Sequence, residues 1–173
     1  MLDRANLDAE SKRLAQVTFD QFVRAGAALA PEERARVAAL TQRESELQTQ
    51  FGQNDLRDTD AFRLALDAED LDGLPQGVRD GAAETARQLG MVDKYVFTLQ
   101  RPNVEDFLTY SSRRDLREKL FKAFTQRGVN GNDFDNRGNI TELVALRAER
   151  AAILGYASHA AYITADSMAR TPE

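Results

Sequence analysis

Apolar positions recur every three to four residues over most of this chain, and the interval drops to two in two short stretches. Leu7, Leu14, Phe22, Ala25 and Leu29 share one face of a helix expected over residues 3–24, together with Ser11 and Thr18. Phe19 and Val23 point elsewhere, so that helix is expected to have neighbours on two sides. Pro31 suits the first turn of a second helix, and Glu32 and Glu33 favour its N-terminus. Val37, Leu40, Leu47 and Phe51 form its stripe, interrupted by Glu44, and Phe51-Gly52-Gln53-Asn54 is expected to end it.

The alternating runs are Phe62-Arg63-Leu64-Ala65-Leu66 and Tyr95-Val96-Phe97-Thr98-Leu99, which read as strands. Between them lie an acidic turn ending at Gly73 and a helix over 75–89, closed by Gly90. A short helix is expected over 103–110. Ser112 is expected to cap the next, over 113–127, with Gly128 just past its end. Arg114–Glu118, Asp115–Lys119 and Glu118–Lys122 lie four apart on that helix and support it locally. A polar loop over 129–136, a helix over 138–154 ended by Gly155, and a last helix capped by Ser158 and reaching about 169 complete the pattern. The fold class is therefore mainly α, a multi-helix array with a small two-stranded β-ribbon, and a ribbon that small needs a helical layer to lie on. The organisation expected is a helical hairpin over 1–54, the ribbon with its connecting helix over 55–102, and helices over 103–173.

Composition narrows the chemistry. With 173 residues, 42% hydrophobic and 29% charged, the chain can bury a core. A net charge of -5 lacks the basic footprint of a nucleic-acid binder. There is no cysteine, hence no disulfide, thiolate ligand or cysteine nucleophile. No apolar run approaches the roughly 20 residues that span a bilayer, so no membrane partner is expected.

His159 is the single histidine, and a catalytic zinc site needs three protein ligands, so it reads as a surface or capping residue. Asp133-Phe134-Asp135-Asn136-Arg137-Gly138 resembles the start of a calcium loop, but Arg137 and Val144 stand where ligands belong. The better reading is a loop whose Asp and Asn side chains bond to their own backbone. Asp67, Glu69, Asp70 and Asp72 read as a solvated turn. Gly128-Val129-Asn130-Gly131 has the spacing of an RNA-binding loop, without the charge or element order to support it. Arg113, Arg114, Arg117, Lys119 and Lys122 form a basic run that interleaved acids neutralise. Arg147 stands in the middle of the apolar face formed by Ile140, Leu143, Val144, Ala151 and Leu154. A charge there needs a partner, and Glu44, equally placed on its own stripe, is the expected one. No residue of this chain is assigned a catalytic, cofactor-binding or metal-binding role.

Several separated motifs carry a resemblance. They are Arg114-Asp115-Leu116-Arg117-Glu118-Lys119-Leu120 with Gln126-Arg127-Gly128, then Asp135-Asn136, then Leu146-Arg147-Ala148-Glu149-Arg150-Ala151 with Ile153-Leu154-Gly155-Tyr156, then Met168-Ala169-Arg170-Thr171-Pro172-Glu173. Together they resemble the M3 family of zinc metallopeptidases, the thimet oligopeptidase and oligopeptidase A family. Phe22-Val23-Arg24-Ala25-Gly26-Ala27 and Leu71-Asp72-Gly73-Leu74-Pro75 fit its bacterial peptidyl-dipeptidase Dcp branch best. The resemblance implies a large helical enzyme with a deep channel that admits short peptides. It also implies zinc held by a His-Glu-x-x-His helix and a downstream glutamate, the motif glutamate activating water. That motif is absent here, since His159 is followed by Ala160.

The chain is thus expected to be scaffold and channel wall from the half of a peptidase preceding its zinc domain, inactive in isolation. A standalone helical interaction module is the alternative. Thr171-Pro172-Glu173 has the cap, first-turn proline and acid of a further helix, an expected sign of truncation. The expected partners are the remainder of the peptidase chain and, for the parent, short peptides; zinc is expected in the parent only. Self-association of the fragment through uncovered apolar surface is also expected. The expected compartment is cytoplasmic, with a periplasmic one left open.

Overall fold

The computed structural model describes residues 7–173. It is mainly α: seven helices and one two-stranded sheet stand among the described residues. They fall into two compact units. One comprises Met1–Gln48 and Ile140–Glu173, the other Thr49–Asn139.

The unit Thr49–Asn139 carries the ribbon. β1 (Leu64–Leu66) pairs antiparallel with β2 (Tyr95–Phe97), Leu64 opposite Phe97 and Leu66 opposite Tyr95. The alternation expected from the sequence is realised on β1, where Leu64 and Leu66 are buried and Ala65 is exposed. α3 (Gln76–Gln88) connects the strands and turns its Ala82 and Ala86 inward. α4 (Arg101–Tyr110) and α5 (Arg114–Thr125) follow, and the helical layer gives the ribbon a surface to bury against. Leu64, Leu66, Phe97, Val104, Phe107 and Leu120 centre the core, with the Phe97 and Phe107 rings edge-on at 4.6 Å.

Gly73 makes the acidic turn possible. Its φ is 82°, and a Cβ there would lie 2.3 Å from the Tyr110 carbonyl oxygen, so both the dihedral and the space require glycine. The acids of that turn are tied down: Asp67 pairs with Lys94 at 2.6 Å, and Asp70 pairs with Arg113.

α5 starts differently from the sequence expectation. Ser112 does not cap it; its backbone N–H donates to the Asp72 carbonyl instead. Arg113 occupies the cap position without a side-chain cap bond, while the Ser111 hydroxyl accepts from the Arg113 N–H. Of the three i,i+4 pairs, Glu118–Lys122 forms, at 2.5 Å, but Asp115 pairs with Arg113, two residues back.

α2 (Pro31–Ala61) runs ten residues beyond its expected end at Phe51. Gly52 meets nothing within 4 Å of a built Cβ, so it costs the helix only its propensity. The polar residues after it are held by tertiary bonds. Asn54 is 6% exposed, and its side-chain amide donates to Asn136 Oδ1 at 3.1 Å. Local breakers are outweighed by contacts distant in sequence.

In the other unit, α1 (Ala9–Arg24) is capped by Asp8, whose carboxylate accepts from the Ser11 N–H at 2.8 Å. The expected start of this helix at residue 3 lies outside the described residues. None of its residues is buried. Leu14, Phe22 and Phe19 are 66%, 63% and 59% exposed, so the two covered faces expected for it are not formed in this chain. The first part of α2 buries Val37, Leu40 and Leu47 as its stripe requires. α6 (Arg137–Ile153) buries Leu143 and Ala151 but leaves Ile140 and Val144 exposed. α7 (His159–Thr164) is capped by the Ser158 hydroxyl as expected, and stops about five residues short of its expected end.

Candidate functional site

The charged residues singled out on the apolar stripes do meet. Glu44 is 4% exposed. Its Oε2 lies 3.8 Å from Arg147 Nε, and its Oε1 lies 3.2 Å from Arg150 Nη1. The expected Arg147–Glu44 pair is therefore present but long, and Arg147 keeps about a third of its side chain in water. Arg150, one helical turn further on, is the nearer and better buried partner, and the sequence reading missed it. Position 150 shares the 147 face, so that spacing was the available signal. Neither Glu44 Oε1 nor Arg150 Nε has a hydrogen-bond partner, so the 3.2 Å contact is an ion pair without hydrogen-bond alignment.

Aromatic rings extend this cluster. The Arg150 guanidinium stands 5.5 Å from the centre of the Tyr162 ring, and the Arg24 guanidinium 5.2 Å from it. Arg24 also donates to the Tyr162 carbonyl oxygen at 2.9 Å. Tyr156 packs edge-on against Tyr162 at 5.2 Å.

His159 is half-buried, and its buried Nδ1 has no hydrogen-bond partner. Burial lowers its pKa below 6.5, and the charges of Arg147 and Arg150 lower it further, against a smaller opposing pull from Glu44. The folded state thus binds this proton less readily than the unfolded chain. Stability from this group is full above about pH 6.5 and falls as the pH drops below it. Thermal unfolding between pH 7.5 and 5.5 is expected to show that loss, and His159→Gln to flatten it; identical pH slopes for the two proteins would exclude the assignment.

A second cluster lies in the unit Thr49–Asn139. Asp58 is 6% exposed. Its Oδ2 accepts from the Gly128 N–H and from the Asn130 amide, and its Oδ1 from the Asn132 amide, each at 2.8 Å. Burial alone would raise its pKa; the Gly128 N–H, the two asparagine amides and the Arg127 charge outweigh this and hold it below its ordinary value. Asn136, 2% exposed, donates to the Phe51 carbonyl oxygen at 3.1 Å. The rejected calcium loop behaves as a self-bonded turn: Asp135 accepts from the Arg137 N–H, and Asn132 from the Phe134 N–H.

Among the described residues, no three His, Asp or Glu side chains come together as a metal-ligand set. With one histidine and no cysteine, the described residues do not fit a catalytic zinc ion. Neither cluster is an acid–base pair placed against a substrate site; both hold helices and a loop.

The profile of peptidase family M3 matches residues 107–173. Over 168 residues, 96% of this chain, the sequence is 38% identical to dipeptidyl carboxypeptidase of Salmonella typhimurium and 36% identical to that of Escherichia coli. Over 174 residues it is 30% identical to oligopeptidase A of Haemophilus influenzae. The chain belongs to peptidase family M3. It spans about a quarter of the length of each of these relatives. The residues that carried the resemblance now have physical roles in an M3 segment: Arg147 and Arg150 hold Glu44, and Asn136 ties its loop to α2. Among the described residues no helix is long and apolar enough to cross a membrane.

Proposed function

We propose that this chain is a scaffold and channel-wall segment of a zinc metallopeptidase that hydrolyses short peptides, from the half preceding the zinc-binding domain. The observation that carries the reading is its likeness, over 96% of its length, to a quarter of a dipeptidyl carboxypeptidase. The one histidine and absent cysteine agree with a segment that holds no zinc itself. Release of dipeptides from peptide C-termini is the proposed activity of the parent, supported by the names of the two relatives at 38% and 36% identity. When bound in the parent, zinc would polarise the scissile carbonyl and activate water.

The exposed side chains of α1 support packing against the remainder of the peptidase, and in its absence self-association of this chain. Phe19, Phe22 and Val23 are 59%, 63% and 38% exposed, and Ile163 of the same unit is 55% exposed. A cytoplasmic compartment is proposed with the peptidase reading.

The isolated chain is expected to cleave no short peptide, with or without zinc, while a parent enzyme containing it does so in a chelator-sensitive manner. Zinc-dependent cleavage by the pure chain would overturn the assignment of scaffold. A full-length parent without metal-dependent peptidase activity would overturn the reading as a whole.

A further inference from the structure

We propose that a cleft on the unit Thr49–Asn139 binds the C-terminal residue of a short peptide. The free carboxylate lies on Lys119 and Lys122, and the terminal side chain lies against Phe62 and Leu99. The choice of a peptide rests on the peptidase reading above; the charge and shape of the cleft do not.

The cleft has a volume of about 460 Å³, within the roughly 300–1,000 Å³ of typical ligand pockets. Its walls come from the last turn of α2, the residues after β2, one face of α5 and the loop that follows it. Phe62, Leu99 and Ala123 give it an apolar floor, and Leu99 is 2% exposed. Such a floor takes one apolar side chain and gains from its burial.

The rim is cationic for a reason visible in the local pairing. Lys119 would be expected to pair with Asp115 one turn earlier, but Asp115 is drawn to Arg113 at 2.8 Å. Lys119 takes part in no hydrogen bond or ion pair among the described residues. Lys122 is held only by Glu118, in a pair whose side chains are both about 60% exposed. Exposed pairs of this kind contribute little, so an incoming carboxylate can displace Glu118. Asp58 is the one acid in the lining, and both its oxygens already accept bonds from Gly128, Asn130 and Asn132. Its charge is therefore directed into the loop rather than the cleft.

Two side-chain amides make the cleft suited to a peptide rather than a fatty acid. Gln126 lines it and its side chain has no partner among the described residues; Asn130 uses its NH2 group on Asp58 and keeps its carbonyl oxygen available. Together they offer a donor and an acceptor to the last peptide group of a ligand. Apolar contact, a charge-assisted carboxylate bond and one amide pairing define the C-terminal residue of a peptide.

The test is titration of the isotopically labelled chain with acetyl-Ala-Phe, observed through backbone amide resonances. Saturable shifts are expected at Lys119, Gln126 and Asn130. The C-terminal amide of the same peptide is expected to bind about tenfold more weakly, the loss of one charge-assisted contact. Lys119→Gln combined with Lys122→Gln, both on exposed positions, should weaken the acid about tenfold and leave the amide unchanged. Equal binding of acid and amide, or shifts confined to other residues, would overturn the proposal. Octanoate binding as tightly at the same residues would overturn the peptide assignment. Because no cleavage is measured, a failure here leaves the peptidase reading intact, and a parent enzyme that fails to cleave leaves the cleft to be judged by these titrations alone.

Discussion

Glu44→Ala is expected to destabilise this chain by about 3 kcal/mol, the lower end of the range for breaking a buried ion pair. The substitution leaves Arg147 and Arg150 facing each other across the position of a lost carboxylate. Arg147 already reaches water, which softens the loss; Arg150, with 17% of its side chain exposed, has less recourse. Thermal unfolding followed by circular dichroism measures the effect. The double variant Glu44→Met with Arg150→Met should recover much of the loss, because a matched apolar pair removes both desolvation penalties at once. Arg147→Met alone should matter less than Glu44→Ala. An unchanged unfolding midpoint for Glu44→Ala would show that the imperfect alignment at Glu44 Oε1 leaves the pair with no net stabilising role.

Asp58→Ala is expected to cost about 2–4 kcal/mol, since it strips three donors of one charged acceptor. The affected donors sit at one end of the loop, so the substitution should free residues 128–136 before anything else. Hydrogen exchange at the Gly128 amide is the sensitive readout, as that N–H donates directly to the carboxylate. The pH dependence has a definite sign. A carboxyl held below its ordinary value binds its proton less readily when folded, so its stabilisation is present above the unfolded value near 3.8 and is lost as the pH falls through the folded one. Asp58→Asn keeps an acceptor and the shape while removing that acid-dependent part. A Gly128 amide that exchanges at the same rate in wild type and Asp58→Ala would refute the role.

The ribbon was legible from sequence because a period of two is hard to mistake over Phe62–Leu66 and Tyr95–Leu99, and both ladders formed there. The end of α2 was not, because nothing local near Gly52-Gln53-Asn54 announces that Asn54 will reach Asn136, 82 positions away. The same distance concealed Asp58, one polar residue in a polar stretch, whose partners stand in a loop rich in asparagine. Glu44 and Arg147 were visible because a charge inside an apolar stripe violates the pattern it sits in. Arg150 was overlooked since its neighbours are polar too. Burial on α1 was misjudged for another reason: spacing shows that a helix has an apolar face, and only the assembled neighbours decide whether that face is covered.

The points where the chain passes between its two units have a practical consequence. Gln48–Thr49 lies inside α2, and Asn139–Ile140 lies inside α6. Boundaries elsewhere usually fall in extended, exposed linkers, the stretches that a protease can thread into its cleft. Here both crossings are hydrogen-bonded helix, so a protease finds no hinge to cut. Nicking falls instead on tips such as the turn after α3 or the asparagine-rich loop, inside the unit Thr49–Asn139, and digestion is a poor route to either unit in pure form. Recombinant dissection meets the same obstacle, since any excision of that unit severs two helices in mid-course and leaves four new termini to be capped.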